Sequence, residues 1–227
     1  MNGATIVFDL DGTLVDTAPD LIRATDHVLA LKGKPPVDPE FARPWISFGA
    51  MRMITEATQK AGLNLPDDEH AVLHQEFLNH YVENISHASR PFPGAVTLIE
   101  RLQNDGAKLA ICTNKRESLS RKLLSELGLL DWFDAIVGRD TLSVHKPHPR
   151  HLTEAIEQAG GTTQRAVMVG DSDTDVKTAR AANVPVVGVT FGYTSVPMQD
   201  LNPDRLVHHY DAMHNALIDI MNCDQND

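Results

Sequence analysis

Thr5-Ile6-Val7-Phe8-Asp9-Leu10-Asp11-Gly12-Thr13-Leu14-Val15-Asp16-Thr17 decides how this chain reads. Ile6, Val7 and Phe8 form an unbroken apolar run. A parallel strand covered on both faces shows no alternation of polar and apolar residues, so the run predicts an inner strand. It ends in Asp9 and Asp11, then Gly12 and Thr13. Open parallel sheets bind ligands beyond the carboxyl ends of their strands, and residues two apart on an extended chain project to the same side. Two carboxylates placed there repel one another, which a bound cation or a proton kept on one of them relieves. Both solutions suit phosphoryl transfer. One carboxylate attacks phosphorus, the other gives a proton to the leaving oxygen, and magnesium screens the nucleophile from an anionic substrate. A solvated Asp-rich turn and a calcium loop compete for the same residues. The calcium loop fails because Leu14 and Val15 follow and Asp20, not a glutamate, holds its last position.

The rest of the chain sets bounds on this reading. Its 227 residues, 42% hydrophobic and 22% charged, suffice for one large domain or for one with a smaller companion. A net charge of −11 argues against a broad basic face and so against nucleic acid. An anionic substrate must then be attracted locally, by a metal and a few placed cations. No apolar run is long enough to cross a bilayer, and no basic stretch leads into an apolar one at the start. The two cysteines, Cys112 and Cys223, give no disulfide framework. A cytoplasmic protein with no membrane partner is expected, as a monomer or homodimer. Cys112 reads as core, and Cys223 as exposed in a polar tail.

Working outward, residues from about 17 to 90 show helical spacing and no parallel strand. The spacing predicts helices over about 17–33, 38–43, 51–61 and 67–86, with a loop over Pro44–Ala50. From Arg90-Pro91-Phe92-Pro93-Gly94 onward, strand and helix alternate, which predicts a parallel sheet. Strands are expected at Lys108–Cys112, Ala135–Gly138, Ala166–Val169 and Val184–Val189, and a last helix near Asp211–Met221. The fold class is therefore α/β, a Rossmann-like parallel sheet core with helices on both faces plus an inserted α-helical domain. The core takes 1–16 and 91–227, and the insert 17–90. Right-handed crossovers bring Asp9 and Asp11, Thr113-Asn114, Lys146 and Asp171 to one sheet edge. His145, His148 and His151 read as a polar loop, and Trp45 and Trp132 as packing residues.

These segments resemble, in order, the four motifs of the haloacid dehalogenase superfamily. They are Asp9-Leu10-Asp11-Gly12-Thr13, Thr113 at a strand end, Lys146-Pro147, and Gly170-Asp171-Ser172 with Asp175. The resemblance covers essentially the whole chain. It implies a magnesium-dependent phosphomonoester hydrolase acting through an aspartyl-phosphate, with the insert as its cap. Asp9 would be the nucleophile and Asp11 the general acid/base. Asp9, the backbone carbonyl of Asp11 and Asp171 would hold magnesium. Asp175 would support the metal or orient Lys146, and Thr113, Asn114 and Lys146 would bind the transferring phosphoryl group.

Asp16–Leu21, Thr113-Asn114-Lys115, Gly138–Thr141 and Phe191-Gly192-Tyr193 bring the resemblance nearest to the superfamily's phosphoglycolate phosphatases. That implies 2-phosphoglycolate as the small anionic substrate, with Gly49 and Arg52 as candidate cap contacts to its carboxylate. The cap loop departs from the expected glycine-rich pattern at Ser47 and Phe48. A phosphatase for a sugar phosphate or nucleotide, a β-phosphoglucomutase-like mutase and, more distantly, a phospho-acceptor signalling module share the core residues. Lys115 and Arg116 read equally well as substrate contacts or as a solvated helix start.

Overall fold

The structure, a computed structural model, describes residues 1–223, with side chains through Asn222. The chain forms two compact units: Met1–Asp16 together with the chain from Pro91 onward, and Thr17–Arg90. The helices are α1 (Ala18–Leu31), α2 (Pro39–Ala42), α3 (Ala50–Lys60), α4 (Asp67–Glu83), α5 (Ala95–Asn104), α6 (Glu117–Glu126), α7 (Pro149–Gln158), α8 (Asp173–Ala181) and α9 (Met213–Cys223).

The first unit is built on a six-stranded sheet whose paired strands all run parallel. Its strands are β1 (Thr5–Phe8), β2 (Lys108–Cys112), β3 (Ala135–Val137), β4 (Ala166–Gly170), β5 (Val186–Val189) and β6 (Arg205–Val207), in the order β3-β2-β1-β4-β5-β6. The first strand is central, and the strand order reverses around it, which opens a crevice at its carboxyl end. Register sets the depth of that crevice. Phe8 lies opposite both Ile111 and Val169, so Asp9, Thr113 and Asp171 emerge within about two residues of one level. Ile6, Val7, Phe8, Leu109, Ala110, Ile111, Val167, Met168 and Val169 are fully buried, which is why these strands lack alternation. On one face Val7, Ala110, Cys112 and Met168 pack against Leu152, Ala155 and Ile156 of α7 and Val176 and Ala179 of α8.

The second unit is helical. Leu21, Ala24, Val28 and Leu29 of α1, Met53, Ile54 and Ala57 of α3, and Leu73, Phe77 and Tyr81 of α4 are its buried stripes. Each recurs at three- and four-residue spacing, as one helix face must.

Four local expectations differ from the structure. Arg43–Phe48 is a 3-10 helix, not a loop, with Pro44 in its first turn, where a missing N–H costs nothing, and Gly49 ending it at φ +86°. β6 carries no local signal: it is a three-residue edge strand, Arg-Leu-Val, with its first two residues only half-buried. His151 belongs to α7 and is fully buried, so it is not a polar-loop residue. The last helix begins at Met213 after a 3-10 turn over Tyr210–Ala212. Cys112 is a free, buried core thiol, while the expectation for the Cys223 side chain lies outside the described residues. No helix among the described residues is long and apolar enough to cross a membrane.

Candidate active site

Asp9 is the first residue beyond β1. Its Oδ1 accepts from the Leu10 N–H at 2.7 Å and pairs with Lys146 Nζ at 2.9 Å. Lys146 comes from the loop after β3, and its side chain is buried. Its second partner is Asp175 Oδ1 at 2.6 Å. Burial works against the Lys146 charge, but Asp175 and Asp9 outweigh it and hold the ammonium more firmly protonated than usual. Asp175 is itself fixed by the start of α8. Its Oδ2 accepts from Ser172 N at 3.1 Å and Ser172 Oγ at 2.7 Å, closing a capping box. One carboxylate thus ends a helix and anchors the lysine.

Asp171 follows β4 and is held by neutral donors. Thr13 Oγ1 donates to its Oδ1 at 2.9 Å, and the Tyr193 N–H donates to its Oδ2 at 2.7 Å. Two glycines make room for this. A Cβ at Gly12 would sit 2.6 Å from Asp171 Oδ2, and one at Gly192 would sit 2.2 Å away. Gly12 also lies at φ +82°, a conformation that side chains rarely adopt. Around this cradle the Tyr210 hydroxyl donates to the Thr13 carbonyl at 2.7 Å, and the Tyr193 hydroxyl to Asp16 Oδ1 at 2.6 Å.

Asp9, Asp171 and Asp175 offer carboxylate oxygens that all lie within 4.8 Å of one another. Burial, with Asp175 and Asp9 beside it, lifts the Asp171 carboxyl to about 8. Burial lifts Asp9 to about 7, even with Lys146 pulling the other way. Among the described residues, the single buried ammonium in contact with this cluster does not offset three acids. A hard divalent cation would, and an all-oxygen donor set suits one.

The Asp11 side chain lies elsewhere. Its two oxygens are 3.0 and 3.3 Å from Lys115 Nζ. Thr113 is buried, and its hydroxyl accepts from the Lys115 N–H at 3.2 Å. The side-chain amide of Asn114 donates to the Lys146 carbonyl at 3.1 Å and braces that loop. In the helical unit Gly49 precedes α3, and the Arg52 guanidinium pairs with Glu56 at 2.6 Å and lies 5.2 Å from the centre of the Trp45 ring.

The sequence leaves Lys115 undecided and makes His151 a polar-loop residue. The i, i+1, i+4, i+5 pattern of His151, Leu152, Ala155 and Ile156 on α7 was the available signal for burial. His151 Nε2 lies 3.0 Å from the Gly138 carbonyl, and Nδ1 lies 3.3 Å from Cys112 Sγ. Burial lowers the imidazole to about 4 and raises the thiol to about 12, so both groups are neutral near pH 7.

Residues 6–189 match the family model of haloacid dehalogenase-like hydrolases. A phosphoglycolate phosphatase of Mesorhizobium japonicum is 47% identical over 213 residues, which are 94% of this chain and 94% of that protein. One from Agrobacterium fabrum is 43% identical, covering 94% of this chain and 91% of its own. The crystal structure of a predicted phosphoglycolate phosphatase from Haemophilus somnus superposes with a TM-score of 0.87 at 29% identity, covering 93% of this chain and 96% of that one. Four strand-end segments in the right order, a sheet that gathers them and similarity along nearly the whole length place this chain in the haloacid dehalogenase-like hydrolase family.

Proposed function

We propose that this phosphatase hydrolyses 2-phosphoglycolate to glycolate and phosphate through a phosphorylated Asp9, with magnesium as cofactor. The observation that carries the chemistry is the arrangement of the two acids after β1, each with its own lysine: Asp9 with Lys146 at 2.9 Å and Asp11 with Lys115 at 3.0 Å. The relatives' activity supports the choice of substrate.

Both hydrogen-bonding contacts to Asp9 fall on Oδ1, and we assign Oδ2 as the attacking atom. Oδ2 bonds to phosphorus as the ester P–O bond breaks, and protonated Asp11 gives its proton to the departing glycolate oxygen. Asp11, now a carboxylate, takes a proton from water as that water attacks the acyl phosphate. Phosphate leaves and Asp9 is restored. Lys146, the Thr113 hydroxyl and the Asn114 backbone N–H stabilise the charge on the transferring group, and Asp175 keeps Lys146 in place. Asp9, Asp171 and the Asp11 carbonyl would hold a divalent cation, which when bound screens the nucleophile from the anionic phosphate. The helical unit serves as the cap that selects the substrate, with Gly49 and Arg52 as contacts to its carboxylate.

The test is phosphate release from a panel of phosphomonoesters, with and without magnesium. The proposal expects 2-phosphoglycolate to lead in kcat/KM and chelation to stop turnover. A sugar phosphate or nucleotide in the lead would overturn the substrate and keep the chemistry. Stable phosphorylation of Asp9 without phosphate release would overturn the hydrolytic step.

A further inference from the structure

We propose that Lys115 is the positioning residue for the acid/base carboxylate Asp11, an inference that rests on the role given to Asp11 above. Lys115 Nζ lies 3.0 and 3.3 Å from the two Asp11 oxygens, so when one of them carries the proton the ammonium still bonds the other and restrains rotation about the terminal bond. The Lys115 side chain is 6% exposed and that of Asp11 is 19% exposed. The pair is thus largely screened from bulk water, where an ion pair of this kind would hold little.

The backbone fixes the lysine from two sides. Its N–H donates to Thr113 Oγ1 at 3.2 Å, at the end of β2. Its carbonyl accepts from Arg139 N at 2.9 Å, just beyond β3. Two strand ends therefore aim one side chain at Asp11. Lys146 does not substitute for it, because its ammonium contacts Asp9 and Asp175. The N–H that Lys115 sends to Thr113 occupies one lone pair of that hydroxyl and leaves its hydrogen to donate. The same residue thus orders a second group assigned to the phosphoryl site.

Since a general acid/base contributes about 10²- to 10⁴-fold, loss of its anchor should cost part of that, about 10- to 100-fold in kcat. The experiment compares Lys115→Met, Lys115→Gln, Lys115→Arg, Asp11→Asn and the Asp11→Asn/Lys115→Met double variant in full-length protein with magnesium. Kinetics are measured on 2-phosphoglycolate or whichever phosphomonoester turns over best, with thermal melting alongside. Expected results are a kcat fall of about 10- to 100-fold in Lys115→Met and Lys115→Gln, KM within about twofold, and partial recovery in Lys115→Arg. In the Asp11→Asn background Lys115→Met should add less than about threefold, because a residue that acts through Asp11 has nothing left to position.

A rise in KM with kcat unchanged would overturn the inference and make Lys115 a substrate contact. Equal losses with and without Asp11 would overturn it too. If Asp11→Asn is severely impaired and Lys115→Met is normal, the inference falls while the acid/base reading stands. If Asp11→Asn is normal, that reading falls and takes the inference with it. Should Lys115→Met melt early, Lys115→Gln carries the comparison with its polar length retained.

Discussion

The two units hold their candidate site residues in different ways. In the sheet unit, every acid of the site is met by a partner far away in sequence: Asp9 by Lys146, Asp11 by Lys115, and Asp171 by Thr13 and Tyr193. In the helical unit, Arg52 is held by Glu56 one turn away and by Trp45 seven residues back. A group pinned by several strands changes only if the fold changes. A group pinned by its own helix can be retuned by one substitution. On the proposed function, the first arrangement carries the chemistry and the second the selectivity.

The largest effect falls on the pair after β1. Asp9→Asn should abolish turnover, a loss of about 10⁴-fold or more, with the far-UV spectrum unchanged. Asp11→Asn should slow the reaction by about 10²- to 10⁴-fold and leave magnesium affinity, measured by calorimetry, within a few-fold. Normal turnover in either variant would break the division at its root.

Next comes the cradle. Gly192→Ala puts a methyl group within 2.2 Å of the Asp171 carboxylate, so it should destabilise by about 1–3 kcal/mol in chemical denaturation and weaken metal activation together. A loss of stability with metal activation untouched would show that the loop yields and Asp171 does not.

The buried acids also make stability depend on pH. Asp9 and Asp171 rise from an ordinary 3.8 to about 7 and about 8, so the folded state binds more protons than the unfolded chain between those values. Stability then falls as pH climbs through that window. His151, lowered to about 4, opposes this below pH 6.5 and has no influence above it. Between about pH 6.5 and 8, metal-free protein should lose thermal stability, and the rise in Tm on adding magnesium should grow over the same range. A flat metal-free profile would show that Asp9 and Asp171 hold no protons in this range.

The smallest effect belongs to the helical unit. Arg52, with a side chain 53% exposed, pairs with Glu56 within one helix, so Arg52→Ala should cost no more than about 0.5 kcal/mol in stability. It should act instead on KM for 2-phosphoglycolate, by less than about tenfold. A large fall in kcat would move chemistry into the helical unit and dissolve the contrast.

The sequence exposed whatever depends on local pattern. Ile6-Val7-Phe8 and Ala166–Val169 read as inner strands because burial on both faces leaves an unbroken apolar run. The polar residues at their ends, Asp9 and Asp171, stood out against those runs. Features made by distance in sequence stayed hidden. No neighbour of Asp11 announces Lys115, whose side chain arrives from another strand end. Arg205–Val207 is too short for any period to register, and its pairing with β5 is what makes it a strand. His151 looked polar among prolines and histidines, although the face it shares with Leu152 and Ile156 lies against the sheet.

One hydrogen bond of the sheet unit bears on how such a protein could be assembled or rebuilt. The Phe92 N–H donates to the Leu14 carbonyl at 3.1 Å, so the chain leaving the sheet unit and the chain returning to it run side by side just before and after residues 17–90. Topologically the helical unit occupies the place of a hairpin turn. The entropy of closing a loop grows only with the logarithm of its length, so the sheet's closure is nearly indifferent to how much polypeptide fills that gap. Paired exits of this kind suit domain insertion. They make the neck a grafting point, where a different helical module or a simple turn could be spliced in while the strands below keep their register.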